Sequence, residues 1–106
     1  MTDAPIGVFD SGVGGLTVVR AVFDRLPRES VLYVGDTLRG PYGPRPLAQV
    51  RAFALDVMDH LVAEGVKAIV IACNTASTLV MSHLRDAYPL PFVGTVPAIK
   101  PAAERS

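Results

Sequence analysis

The chain has 106 residues, half of them hydrophobic, with ten basic and ten acidic side chains and a formal net charge of zero. That is one small domain, too apolar for a disordered tail and too neutral for a binder held by phosphate neutralisation or by an anionic membrane surface. The single cysteine excludes an intrachain disulfide, and Cys73, His60 and His83 lack zinc-ligand spacing, so no metal is expected.

Ile6 to Phe9 is a short apolar run that stops at Asp10-Ser11-Gly12, which reads as a buried strand ending in a turn. Leu16, Val19, Val22, Phe23 and Leu26 follow at helical spacing, and Pro27 closes that helix. Val31 to Val34 is a second strand, followed by Gly35-Asp36-Thr37 and a Gly/Pro-rich loop from Arg39 to Arg45. Pro46 suits a first helical position, Leu47, Val50, Ala54, Val57, Met58 and Leu61 form one apolar stripe, and Gly65 fits the residue just beyond the helix. Ala68 to Ala72 is the third and most apolar strand. Asn74 and Thr75 can cap a helix carrying Ala76, Leu79, Val80 and Leu84. Pro91 to Gly94 predicts a fourth strand, and Pro97 opens a further helix-like stretch.

Strands that alternate with helices and are apolar on both faces predict an α/β fold: three layers, α/β/α, around a mostly parallel sheet of about four strands. Right-handed crossovers put every strand-to-helix loop at one sheet edge, where ligands bind in open α/β sheets. The longest strongly apolar run, Ala68 to Cys73, is far below the roughly 20 residues of a membrane helix. The N-terminus lacks the pattern of a signal peptide, so a cytoplasmic location is expected.

The candidate chemistry lies in those loops. Cys73 ends a strand just before a helix start, where free N–H groups and partial positive charge favour a thiolate; such a thiol can act as nucleophile or base, although cysteine is also an ordinary small core residue. Asn74 and Thr75 offer an amide and a hydroxyl beside backbone donors, suited to a carboxylate or phosphate, or simply to capping. In Asp10-Ser11-Gly12-Val13-Gly14-Gly15, Gly12 and Gly14 match the first two glycines of a dinucleotide fingerprint, with Asp36 near the place of a ribose-binding acid, but Thr17 stands where the third glycine belongs. A phosphatase aspartate pair fails because Gly12 stands two residues after Asp10. What remains is an exposed carboxylate and hydroxyl on a tight turn, ready for an ammonium group or a proton relay, or a plain turn cap. Tyr42 and Gly43, in the loop with Arg39 and Arg45, could close over a ligand, with the Gly43 N–H approaching an anion. His60 is expected to be solvated, His83 at the surface or half-buried, and Met58 and Met81 in the core.

Five runs, in this order and spacing, resemble the N-terminal part of the cofactor-independent aspartate/glutamate racemase family: Ile6-Gly-Val-Phe-Asp-Ser-Gly-Val-Gly-Gly-Leu16, Tyr33-Val-Gly-Asp-Thr37, Pro41-Tyr-Gly43, Ile71-Ala-Cys-Asn-Thr-Ala76 and Val93-Gly-Thr-Val-Pro97. The resemblance implies one incomplete lobe of a two-lobe enzyme, residues 1–97 forming the lobe with the first catalytic cysteine and residues 98–106 starting the connection to a second. It implies interconversion of L- and D-glutamate by thiol-based proton transfer, for peptidoglycan synthesis, without pyridoxal phosphate, metal or other cofactor. In that scheme Cys73 is the base acting on D-glutamate. Asn74, Thr75 and the Tyr42-Gly43 backbone contact the substrate carboxylate, Ser11 contacts the substrate, and Asp10 assists Cys73 or meets the ammonium. The segment carrying the family's opposing thiol is not in this stretch. Alternatives are an aspartate-specific relative, a non-catalytic half that binds an acidic amino acid or only associates with another subunit, and a nucleotide-binding domain built on Gly12, Gly14 and Asp36. An incomplete lobe exposes apolar surface, so a homo-oligomer is also expected; no nucleic-acid or membrane partner is.

Overall fold

A computed structural model describes residues 3–12 and 15–94. The expectations for Val13 and Gly14, for the loop after Gly94 and for residues 98–106 lie outside the described residues. Four strands, β1 (Ile6–Asp10), β2 (Val31–Gly35), β3 (Ala68–Ile71) and β4 (Phe92–Gly94), form one parallel sheet in the order β2-β1-β3-β4. Helix α1 (Leu16–Arg25) links β1 to β2, and α2 (Leu47–Ala63) links β2 to β3. Helices α3 (Asn74–Leu79) and α4 (Met81–Ala87) lead on to β4.

The chain steps one way from β1 to β2 and the other way from β2 to β3. With right-handed crossovers, α1 therefore lies on one face of the sheet and α2, α3 and α4 on the other. The predicted three-layer arrangement follows, but its two outer layers are unequal. On the α2 side, Phe9, Ile69, Ile71 and Phe92 of the strands meet Val50, Ala54, Met58 and Leu61 of α2 and Ala76, Val80 and Leu84 of the α3–α4 segment, all buried. Gly7 permits that approach, because a Cβ there would lie 3.3 Å from both Leu61 and Val66. Gly65 has φ +83°, the left-handed conformation that glycine adopts without strain just after a helix. On the α1 side the apolar stripe has the predicted spacing but buries no residue fully; Leu16, Phe23 and Leu26 remain about half exposed, as does Val93 of β4.

Two local expectations are corrected. The helix predicted to run from Asn74 through Leu84 is broken at Val80, whose backbone (φ −127°, ψ 3°) is not helical. The break lets Val80, Met81 and Leu84 all face the core. Pro46 stands one position before α2 in extended conformation (ψ 151°) rather than inside its first turn. Among the described residues, no helix is long and apolar enough to cross a membrane.

Candidate active site

The order β2-β1-β3 makes the C-terminal end of β1 and β3 the point where successive connections diverge, the usual ligand crevice of an open α/β sheet. Phe9 pairs with both Val34 and Ile71. Two residues further along each strand, on the same face, stand Ser11, Asp36 and Cys73. The bonds Asp36 N–H to Asp10 O (2.8 Å) and Ala72 N–H to Phe9 O (2.8 Å) extend the pairing toward this row. The Cys73 thiol accordingly reaches the Ser11 hydroxyl, Sγ to Oγ 3.4 Å, across 62 residues of sequence.

Cys73 is buried, 4% exposed, and occupies the position before the first residue of α3. The expectation that Asn74 and Thr75 cap that helix is corrected: both lie within or at its first turn, and the cap position has no side-chain hydrogen bond. Asn74 is exposed and Thr75 half-buried.

Asp10 is not the exposed carboxylate the turn suggested, being only 8% exposed. Its Oδ1 accepts from the Ser11 N–H (2.8 Å) and its Oδ2 from the Gly15 N–H (2.6 Å). The side chain therefore caps the turn and fixes Ser11 beside Cys73, while each oxygen keeps a further lone pair. Tyr33 clamps the same turn by donating its hydroxyl to Gly12 O (2.8 Å). Burial first, and then the Asp10 charge, push the Tyr33 phenol above its ordinary value.

The loop after β2 folds over the site, but Tyr42 does not act as a lid. Its ring is fully buried between Phe9 and Phe53, with centroids 5.9 Å and 5.7 Å away. Any contact from Tyr42 to a ligand must therefore come from its backbone. Gly43 is exposed, and a Cβ on it would lie 3.8 Å from the Thr75 hydroxyl, so Gly43 and Thr75 lie side by side. Gly40 presses against the Ser11 turn, where a Cβ would fall 1.7 Å from Ser11 O.

Sequence reasoning missed what holds this loop. Asp36 Oδ2 accepts from the Tyr42 hydroxyl (2.5 Å) and from Arg39 Nε (2.8 Å), so this carboxylate is engaged within the loop rather than poised for a ribose. Arg39 also donates to Asp56 of α2 (2.9 Å) and lies 4.4 Å from the Phe53 ring centroid. Burial, then the Asp36 bond, push the Tyr42 phenol far above the ordinary range. The spacing Asp36, Arg39, Tyr42 was the available signal, but loop residues carry no periodicity that assigns partners. His60 and His83 are exposed and Met58 and Met81 buried, as expected, and no cluster of three His, Cys, Asp or Glu among the described residues could hold a metal ion.

The Asp/Glu/Hydantoin racemase family matches residues 6–106. A glutamate racemase of Beutenbergia cavernae is 62% identical over all 106 residues, which make up 36% of that protein. The crystal structure of glutamate racemase from Thermus thermophilus in complex with β-chloro-D-alanine superposes with a TM-score of 0.84 at 56% identity, covering 88% of this chain and 36% of that one. The structure of the Francisella tularensis glutamate racemase in complex with D-glutamate gives 0.85 at 41% identity, over 89% of this chain and 36% of that one. The chain thus spans little more than a third of the proteins it matches. With the cysteine at the switch point of its sheet, and a match reaching from β1 to residue 106, the chain belongs to the Asp/Glu/Hydantoin racemase family.

Proposed function

We propose that this chain supplies one half of a glutamate racemase site, in which Cys73 is the base that acts on D-glutamate. The observation that carries the proposal is the juxtaposition of the Cys73 thiol with the Ser11 hydroxyl, with Thr75 two residues on and Gly43 beside it. Glutamate is the substrate named for the Beutenbergia relative, and D-glutamate is bound in the Francisella structure.

The α-proton of an amino acid is far less acidic than a thiol. A thiolate removes it only where fixed donors stabilise the charge that develops on the adjoining carboxylate. The Gly43 N–H, the Thr75 hydroxyl and the Asn74 amide are the donors proposed here. Ser11 meets the substrate beside the sulfur, and Asp10 fixes Ser11 and presents its remaining lone pairs to the ammonium. Cys73 takes the proton and becomes a neutral thiol, leaving the carbanion. Return of a proton to the opposite face requires a second acid, which racemases of this type draw from the facing lobe. The chemistry proposed uses no metal or cofactor, and its product serves bacterial cell-wall synthesis in the cytoplasm. The half-exposed Leu16, Phe23, Leu26 and Val93 support a surface that meets further protein, in a homo-oligomer or in a longer enzyme.

The test is solvent exchange at the α-carbon. The chain is incubated with D- or L-glutamate in deuterated water and the α-proton is followed by NMR. Loss of the D-glutamate signal, abolished by Cys73→Ser, is the expected result. Exchange that survives Cys73→Ser overturns the thiolate role, and absence of exchange in a folded sample overturns one-sided activity of this chain.

A further inference from the structure

We propose that Asp36 is a positioning residue: by holding the Tyr42 hydroxyl and the Arg39 guanidinium on one carboxylate oxygen, it sets the Tyr42-Gly43 peptide opposite Thr75 and so shapes the carboxylate-binding side of the site. Four tethers meet at this residue. Its N–H donates to Asp10 O (2.8 Å), and its carbonyl accepts from the Gly40 N–H (2.9 Å). Its Oδ2 accepts from Tyr42 (2.5 Å) and Arg39 (2.8 Å). The first tether joins it to Asp10, the residue before Ser11, and the other three gather the loop that carries Gly43. Arg39 carries the chain of contacts outward to Asp56 and Phe53 of α2, which makes the loop continuous with the best-packed layer of the fold. Hydrogen bonds to an ionised acceptor are the strong ones, and an oxygen shared by two donors fixes both.

The geometric consequence is specific. Tyr42 is the residue before Gly43, so holding its ring and hydroxyl restrains the backbone that leads into Gly43. A small rotation there would shift Gly43 relative to the Thr75 hydroxyl without disturbing Cys73 or Ser11, which are held by the β1–β3 pairing. Loss of the strut should therefore impair recognition of a carboxylate more than it impairs the thiol.

The inference rests on the carboxylate reading of the site, and the experiment separates the two. Cys73 is alkylated with iodoacetate and, in parallel, with iodoacetamide. In iodoacetate the attacked carbon is bonded directly to a carboxylate, as the α-carbon of an amino acid is; iodoacetamide has the same reach without the charge. The ratio of the two rates, relative to that of free cysteine, reports carboxylate recognition at the sulfur. The wild-type ratio is expected to exceed that of free cysteine, and Asp36→Asn and Tyr42→Phe are each expected to lower it about tenfold with the iodoacetamide rate unchanged. Circular dichroism checks folding; should Asp36→Asn fail to fold, Tyr42→Phe, which keeps the buried ring, decides. A wild-type ratio retained in the folded variants overturns the strut, and so does equal slowing with both reagents, which marks general loosening. A wild-type ratio no higher than that of free cysteine overturns the carboxylate reading itself, and this inference with it.

Discussion

Replacing Gly40 with alanine tests whether the loop after β2 is seated on the Ser11 turn. A Cβ at position 40 would lie 1.7 Å from Ser11 O and 2.9 Å from Ser11 C, and 3.1 Å from Asp36 O. All three are backbone atoms, so no side chain can swing aside. The two loops must part by about 1.3 Å for the first contact to reach the 3.0 Å below which real Cβ contacts essentially never fall. Overpacking of this kind costs about 1–3 kcal/mol. The same Cβ crowds Asp36 O, which accepts from the Gly40 N–H within the loop, and loss of that bond adds roughly 1 kcal/mol. We expect a destabilisation of about 3 kcal/mol, read as a lower urea midpoint with unchanged slope in a circular-dichroism titration. Gly12→Ala is the control, because a Cβ there meets nothing within 4 Å. A Gly40→Ala loss below about 1 kcal/mol, or one no greater than that of Gly12→Ala, would refute the reasoning.

Two further outcomes are expected. All three tyrosines are held above their ordinary value of 10.0, in each case with burial as the largest cause, and Tyr88, which also donates to Asp59, is pushed up to about 12. The folded chain therefore keeps phenol protons that the unfolded chain has lost; this contribution is whole below pH 10 and is lost as pH rises toward 12, so stability measured by urea titration should fall across that window, with native phenolate absorbance lagging that of the unfolded chain. The unequal layers predict unequal costs: Leu61→Ala, fully buried on the inner face of α2, should lose about 2–5 kcal/mol, whereas Phe23→Ala, 45% exposed on α1, should lose under about 1 kcal/mol, and similar costs in a denaturation series would contradict the layering.

The sheet was legible because each strand is a short apolar run with a turn signal behind it, and α2 because its stripe from Val50 to Leu61 has helical period and a glycine after its end. Cys73 was legible for the same reason, as the residue at the end of the most apolar strand. The α1 stripe was read correctly as a helix, but periodicity says only which residues share a face, not how closely that face is covered. The break at Val80 was hidden because a valine continues an apolar pattern whether or not its backbone is helical. Least legible was the Asp36, Arg39 and Tyr42 cluster, together with the seating of Gly40 on Ser11. Both depend on where a proline- and glycine-rich loop comes to rest, which is decided by contacts with other strands and helices.

The pairing of β1 with β3 passes over β2 and joins residues 62 positions apart, as Ile6 and Ala68 are. Closing a loop of that length costs roughly 4 kcal/mol in chain entropy, against about 3 kcal/mol for the 25-residue separation of Ile6 from Val31 in β1 and β2. The sulfur and the hydroxyl that face one another at the crevice are thus brought together by the costlier of the two closures. During synthesis from the N-terminus, β1 and β2 can zip together while Cys73 is still unmade. The Cys73–Ser11 contact can form only once β3 has joined β1.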